Sequence, residues 1–289
     1  MKTQSLCSQH IILIFTLIFI WSGGWFFTKT GLESSTPLSF NAIRFLLAAA
    51  IMQITLNLTP NHKSASKRHW PVIIAVGIFQ TGLMFSLASF GMMQTNLTKT
   101  VILVYTTPLW ASFLGWHFLN EKLDKTQWAG LLLGLTGIVF IILPEIKLGK
   151  IFGILILLAS ALSWSIANLL FKKYLSSYDK LYIGTWQITI GAVFLLILSI
   201  VIDKEISFQA SMNSIISLLY VSIFGSIIAF SIWFHLVTKL SLLQSSMVTL
   251  GVPITIMAAD AIQNENMSST LVTGMLCILL GIYFAIKNN

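Results

Sequence analysis

The chain has 289 residues, 56% of them hydrophobic and 9% charged, with a mean hydropathy of +0.87 and a formal net charge of +8. Seventeen Lys/Arg and nine Asp/Glu cannot clothe a soluble domain of this size. A water-soluble enzyme and a nucleic-acid-binding module are excluded, and the class is an integral membrane protein.

Apolar stretches long enough to cross about 30 Å of hydrocarbon as helices tile almost the whole length. They run over 10–28, 37–58, 71–92, 98–119 and 127–144, then 150–171, 181–202, 213–236, 241–262 and 268–287. The expected fold is an all-α polytopic membrane protein with ten transmembrane helices and short connections, the longest polar break being "TPNHKSASKRHW" at 59–70. Continuous runs, rather than alternating segments of about ten residues, argue against a β-barrel. The first run is read as a span and not a signal peptide, because only Lys2 precedes it and no small-x-small site follows.

Span one carries Trp21 near its middle, with Lys29 and Glu33 one helical turn apart at its end, a pair expected to form a rim salt bridge. Span two opens on Pro37 and holds Arg44, an intramembrane charge that costs about 2.5–3.5 kcal/mol when central and unpaired. Two readings of Arg44 stand: a structural residue pairing with Glu33 or with outer phosphates by snorkelling, or a charge used in cargo binding or coupling. Gln80 is central in span three. Span four contains "LVYTTPLWASF" (103–113), with Pro108 mid-span and Tyr105, Thr106 and Trp110 around it. In span five, Gly130, Gly134 and Gly137 lack the preceding strand of a dinucleotide loop. They are read as close helix packing, within one subunit or across a homodimer. Span six places Asn168 one turn after Trp164, and span seven carries Trp186 and Gln187, read as lying in its outer half. Span nine repeats the proline device in "TLGVPITIMAA" (249–259), with Thr249, Pro253 and, seven residues later on nearly the same face, Asp260.

Four of the six prolines stand where spans open or close: Pro37 and Pro71 open them, Pro60 and Pro144 end them. Pro108 and Pro253 do not. Each removes a helical hydrogen bond, freeing the carbonyls of Val104 and Thr249, at about 3 kcal/mol in a soluble helix. In hydrocarbon a freed carbonyl is tolerated where it faces protein or a water-filled cavity. Thr106 and Thr107 stand ready in the first case, Thr249 and Gly251 in the second. The prolines either shape curved, well-packed helices or mark the helix breaks of a central site.

Charge and cysteine add orientation and little chemistry. Eleven basic residues fall on the N-terminal side of the spans: Lys2, Lys63, Lys67, Arg68, Lys122, Lys125, Lys172, Lys173, Lys180, Lys239 and Lys287. Five, namely Lys29, Lys99, Lys147, Lys150 and Lys204, fall on the other. That bias predicts cytoplasmic N- and C-termini. Cys7 is expected on the cytoplasmic side and Cys277 within the last span, so they do not readily pair, and no His/Cys cluster has metal-ligand spacing, so neither metal nor cofactor is expected.

The chain also repeats itself. "TQWAGLLLGLTGIVFII" (126–142) over "TLVTGMLCILLGIYFAI" (270–286) gives eight identities in seventeen positions, including Gly130/Gly274, Gly137/Gly281 and Phe140/Phe284. A shift of 145 pairs "IFQTGLMFS" (78–86) with "IFGSIIAFS" (223–231) and Pro108 with Pro253, and a shift of 143 pairs Trp21 with Trp164. Two five-span halves, 1–146 and 147–289, would enter the membrane from opposite sides, as inverted repeats do in secondary transporters.

With "WSGGWFFTK" followed by "FNAIRFLLAAA", and a fourth span ending "PLWASFLGWHFLNEKL", the whole chain resembles the EamA family of the drug/metabolite transporter superfamily. The second half has "NENMSS" where the first has "NEKLDKT". The resemblance implies a 5+5 inverted fold and export of small metabolites, often amino acids or their relatives. The expected protein is an inner-membrane carrier of alternating access, not an enzyme, with a midplane cavity between spans one, three, four, six, eight and nine. Trp21, Gln80, Tyr105, Thr106, Trp110, Trp164, Asn168 and Thr249 are its candidate binding residues, Pro108 and Pro253 its helix breaks, and Arg44 and Asp260 its candidate charges. The alternatives are uptake or exchange of a nucleoside-like or sulfonium compound, which aromatic walls also suit, and multidrug efflux.

Overall fold

The computed structural model describes residues 8–59, 64–119, 124–147, 151–239, 249–263 and 269–286. Lys2, Cys7, Pro60, Lys63, Lys122, Lys150 and Lys287, with residues 241–248 of the expected ninth span, lie outside them.

Helix α1 runs Ser8–Leu32 and α2 Pro37–Leu58. Thr36 caps α2, accepting from Ser39 N, and Pro37 takes a first-turn position where its missing N–H costs nothing. Helix α3, Lys67–Gln94, begins with a 3-10 turn before Trp70 and Pro71 and widens into a π-helical stretch over Gly77–Leu83. The fourth apolar run is two helices, α4a (Leu97–Val104) and α4b (Thr107–Leu119). Helix α5 (Lys125–Lys147) starts on a reciprocal cap: Gln127 N donates to Asp124 Oδ1, and Asp124 N to Gln127 Oε1, each at 2.8 Å. It runs one turn past Pro144, so that proline lies inside the helix instead of ending it.

Helices α6 (Ile151–Leu175), α7 (Lys180–Asp203) and α8 (Met212–Lys239) follow, then α9 (Gly251–Gln263) and α10 (Ser269–Ile286). Helix α8 also carries a π-helical stretch, Ile223–Ile228. Among the described residues, six helices are long and apolar enough to cross a membrane: Ile12–Leu32 of α1, and α2, α3, α6, α7 and α8. Among the described residues there is no strand, only an isolated bridge between Ser35 and Phe208 that ties the α1–α2 connection to the α7–α8 connection. The protein is a polytopic all-helical membrane protein.

Glycines set the closest approaches. A Cβ on Gly77 would lie 2.7 Å from Gln187 O, and one on Gly191 would lie 2.7 Å from Gly77 O, so the π stretch of α3 meets the backbone of α7. Helices α5 and α10 meet in the same way. A Cβ on Gly137 would stand 2.5 Å from Gly274 O, and one on Gly281 would stand 2.5 Å from Gly130 O. The glycines of span five thus serve packing inside one chain. The outward faces of these helices, with Leu132, Val139, Leu276 and Tyr283, are exposed, as lipid-facing residues are.

The expected rim pair of Lys29 and Glu33 is not formed; Glu33 is exposed, where an ion pair gains little over water. Trp186 and Gln187 lie in the half of α7 that begins at Lys180, beside the basic connection, and not in the far half.

Candidate functional site

The fourth apolar run breaks at Tyr105–Thr106. Tyr105 N donates to Val101 O at 2.9 Å and Thr106 N to Leu103 O at 3.2 Å, and the next backbone bond runs from Leu109 N to Thr106 O. Pro108 leaves Val104 O without its helical donor, and Thr107 Oγ1 supplies one at 2.9 Å. Thr106 Oγ1 donates to Leu103 O at 2.7 Å in the same manner. Pro108 is the second residue of α4b and Pro253 the third of α9, so each stands in the first turn of a helix, where no N–H is needed. Val252 N donates to Thr249 O at 3.0 Å just before Pro253.

This break borders a cavity whose empty volume, counted with its mouth, is about 540 Å³. Trp21, Gly24, Trp25 and Thr28 of α1 form one wall, and Met84 and Phe85 of α3, Val104, Tyr105 and Thr107 of α4, and Trp164 of α6 form others. Gly225 of α8, Thr249, and Arg44 of α2 complete it. Helix α2 was not among the expected walls, and it joins them through Arg44, one of the two candidate charges.

Aromatic rings close one end. Trp21 meets Trp164 edge-on with centroids 5.8 Å apart, and Trp233 lies 5.6 Å from each. Phe230 packs 5.8 Å from Trp164 and 6.5 Å from Trp21. Trp233 and Phe230 are fully buried behind the two lining indoles. Trp21 also donates from Nε1 to Gly225 O at 3.4 Å, within the π stretch of α8, where the wider turn loosens the carbonyl ladder. Above this plate, Trp25 Nε1 donates to Tyr105 Oη at 3.3 Å, and Thr28 Oγ1 to Gly24 O at 2.7 Å. Trp25 and Thr28 lie further along α1 than Trp21, toward its connection to α2, and extend the lining in that direction.

Arg44 is 3% exposed, yet it pairs with neither Glu33 nor any other acidic side chain among the described residues. Its guanidinium stacks on Phe85 and Phe45, 4.5 and 4.6 Å from the ring centroids, and Nε–H donates to Ser226 Oγ at 3.0 Å.

Of the candidates read from sequence, Trp21, Arg44, Tyr105, Trp164 and Thr249 line the cavity. Gln80, Thr106, Pro108, Trp110, Asn168, Pro253 and Asp260 do not. Asp260 Oδ2 accepts from Thr98 Oγ1 at 2.9 Å, and Trp110 Nε1 is buried without an acceptor. Gln80 Nε2 donates to Asn168 Oδ1 at 3.3 Å, and Thr81 Oγ1 to Gln187 Oε1 at 2.8 Å. Gln80 Oε1, Asn168 Nδ2 and Gln187 Nε2 are buried with no partner. Trp25 and Thr28 were missed, although they follow Trp21 at four and seven residues on one helix face. Gly24 and Gly225 leave no sequence trace, because they contribute room and backbone.

A polytopic helical bundle with a helix broken at a buried, largely aromatic cavity is an arrangement suited to a membrane transporter. The chain belongs to the EamA-like transporter family, whose sequence profile matches it twice, over residues 9–143 and 151–287. It is 28% identical over 274 residues to YoaV of Bacillus subtilis (strain 168), described as an uncharacterized transporter, covering 93% of this chain and 94% of that one. It is 26% identical over 234 residues to the uncharacterized inner membrane transporter YedA of Escherichia coli (strain K12), covering 79% and 74%. One crystal structure of a protein shares the fold with a TM-score of 0.71 at 17% identity, covering 97% of this chain and 98% of the other.

Proposed function

We propose that this chain is a secondary carrier of ten spans in two inverted five-helix halves, 1–146 and 147–289, which exports a small polar or amphipathic metabolite, an amino acid or close relative, by alternating access. The observation that carries the reading is a set of reciprocal contacts. Gly130 aligns with Gly274 and Gly137 with Gly281, and Gly137 meets Gly274 while Gly130 meets Gly281. A contact of i with j matched by j with i is what a two-fold axis produces.

Two further matches support it. The π stretches Gly77–Leu83 and Ile223–Ile228 coincide under the shift of 145. Under the shifts of 143 and 145, the Arg44–Ser226 bond corresponds to that of Gln187 with Thr81. The double match of one family profile agrees with the same halves.

The charge bias assigns both termini to the cytoplasm, and the similarity to YedA, an inner membrane transporter, supports an inner-membrane location. The cavity then faces outward, closed below by the Trp21, Trp164, Trp233 and Phe230 plate. Aromatic walls would also suit a nucleoside-like or sulfonium compound, but Arg44 in the same wall repels a sulfonium cation. Asp260, half-buried and off the cavity, remains the candidate for proton coupling.

Counterflow into proteoliposomes tests the reading, with pooled radiolabelled amino acids against a nucleoside and sulfonium pool, each with and without a pH gradient. Accumulation from the amino-acid pool is expected. Signal only from the other pool refutes the cargo, and no saturable exchange of either refutes the carrier. Asp260→Asn is expected to remove any dependence on the pH gradient; unchanged dependence takes Asp260 out of the mechanism.

A further inference from the structure

The geometry points to Arg44 as the anchor for a single negative group on the cargo, a carboxylate, held at the cavity wall while an apolar body lies against the aromatic rings. The inference rests on the cavity being the cargo's site, as proposed above. A guanidinium offers five N–H donors, and Arg44 uses one of them, on Nε, for Ser226 Oγ. The four on Nη1 and Nη2 have no acceptor among the described residues, and Arg44 lines the cavity.

The surroundings keep those donors open. A Cβ at Gly225 would come 3.3 Å from Arg44 Nη2, so the missing side chain there leaves the fork its place on the wall. Phe45 and Phe85 stack on the guanidinium and hold its plane, and Ser226 fixes Nε, so the terminal nitrogens are presented in one orientation. A buried charge without a counter-ion is costly to keep, and a planar fork whose terminal Nη1/Nη2 edge is open matches a carboxylate in bidentate geometry.

The charge also bounds the cargo. Among the described residues no other Lys or Arg lines the cavity, so a dianion such as a phosphate ester would remain half-neutralised. Trp21, Trp25, Phe85, Tyr105 and Trp164 offer apolar faces to the rest of the molecule. A monocarboxylate or zwitterion with an apolar body fits both halves of the wall.

The test is calorimetric titration of the full chain in detergent with 3-phenylpropanoate, its neutral amide 3-phenylpropanamide, and sodium chloride alone. The wild-type protein is expected to bind the acid about tenfold or more tightly than the amide, a preference worth about 1.4 kcal/mol at tenfold. Arg44→Gln should erase the preference, and Arg44→Lys, which keeps the charge without the fork, should retain part of it. No difference between acid and amide in the wild type overturns the inference, whether both bind or neither does, and needs no variant to fold. A preference that survives in folded Arg44→Gln overturns it as well. Chloride binding that matches the acid would make the site one for an inorganic anion, which also overturns it. An acid preference without amino-acid counterflow would leave Arg44 as the anion anchor and refute the amino-acid cargo alone.

Discussion

Neighbouring glycines on α1 should respond in opposite ways to the same added methyl group. A Cβ on Gly24 meets nothing within 4 Å and points into the cavity space, whereas one on Gly23 would stand 2.5 Å from Tyr220 Oη and 3.0 Å from its Cζ. Tyr220 cannot swing aside freely, since it stacks on Phe27 at 4.3 Å and its hydroxyl donates to Ile20 O at 3.3 Å. Each Gly→Ala change gains about 0.5–1 kcal/mol of helix propensity. Only Gly23→Ala also bears the cost of overpacking, about 1–3 kcal/mol. Gly24→Ala should therefore unfold at or above the wild-type midpoint in detergent, with Gly23→Ala about 1–3 kcal/mol less stable than Gly24→Ala. Gly24→Leu should stay folded while cutting counterflow about tenfold or more, equivalent to about 1.4 kcal/mol of cargo binding. Equal destabilisation by the two alanines would refute the packing around α1. Wild-type counterflow in Gly24→Leu would refute the cavity as the cargo's path.

Trp233→Leu removes two ring contacts from the aromatic plate, each worth about 0.5–1.5 kcal/mol, and should shift the carrier toward the state open on the far side of the plate by about 5- to 150-fold. Maleimide labelling of Asn168→Cys, in a chain whose Cys7 and Cys277 are serine, reads that shift; an unchanged rate would show that the plate is not a gate. Thr107→Ala leaves Val104 O without its hydroxyl donor and should cost about 1 kcal/mol of stability in detergent, whereas Thr107→Ser should not. Equal behaviour of the two variants would show that the hydroxyl has no part in holding the break. Gly274→Val and Gly281→Val should each destabilise by about 1–3 kcal/mol or more, since a backbone carbonyl of α5 stands within 2.8 Å of either Cβ position. Thermal unfolding at the wild-type temperature in either would refute the close α5–α10 contact.

The helices were legible because a lipid-length apolar run has one stable conformation in hydrocarbon, and the composition announced such runs. The Trp21–Trp164 contact was foreshadowed by their matching places in the two halves, and Gly130, Gly134 and Gly137 by their spacing. Other features had no local signature. The π stretches at Gly77–Leu83 and Ile223–Ile228 depend on which carbonyl a neighbouring helix engages, as Trp21 engages Gly225 O and Ser163 Oγ engages Phe79 O. Pro108 marked the break in span four but not its position, which Thr106 and Thr107 set by bonding back to Leu103 and Val104. For Arg44, depth in the sequence suggested a snorkelling side chain. Ser226 and two phenyl rings, from three different helices, turn it inward instead.

On the reading of two inverted halves, the pairing of Arg44 with Gln187 bears on how transport proceeds. If the halves exchange conformations, Gln187 comes to occupy for the inner state the place that Arg44 holds in the outer one. Gln80 and Asn168, the counterparts of Gly225 and Trp25, come to line the path with it. Gln80 Oε1, Asn168 Nδ2 and Gln187 Nε2 are all among the buried polar atoms that lack partners, as is Asn41 Oδ1. A buried polar atom without a partner costs about 1–3 kcal/mol, and that cost is relieved once the atom meets water or cargo. On that reading the closed inner half would carry an energetic bias toward opening, offset by the packing of the aromatic plate. A carboxylate cargo would then be held by a cation in the outer arrangement and by neutral amides in the inner one. The two conformations would differ in affinity for the same cargo, as the two ends of a path do when only one half carries its charge.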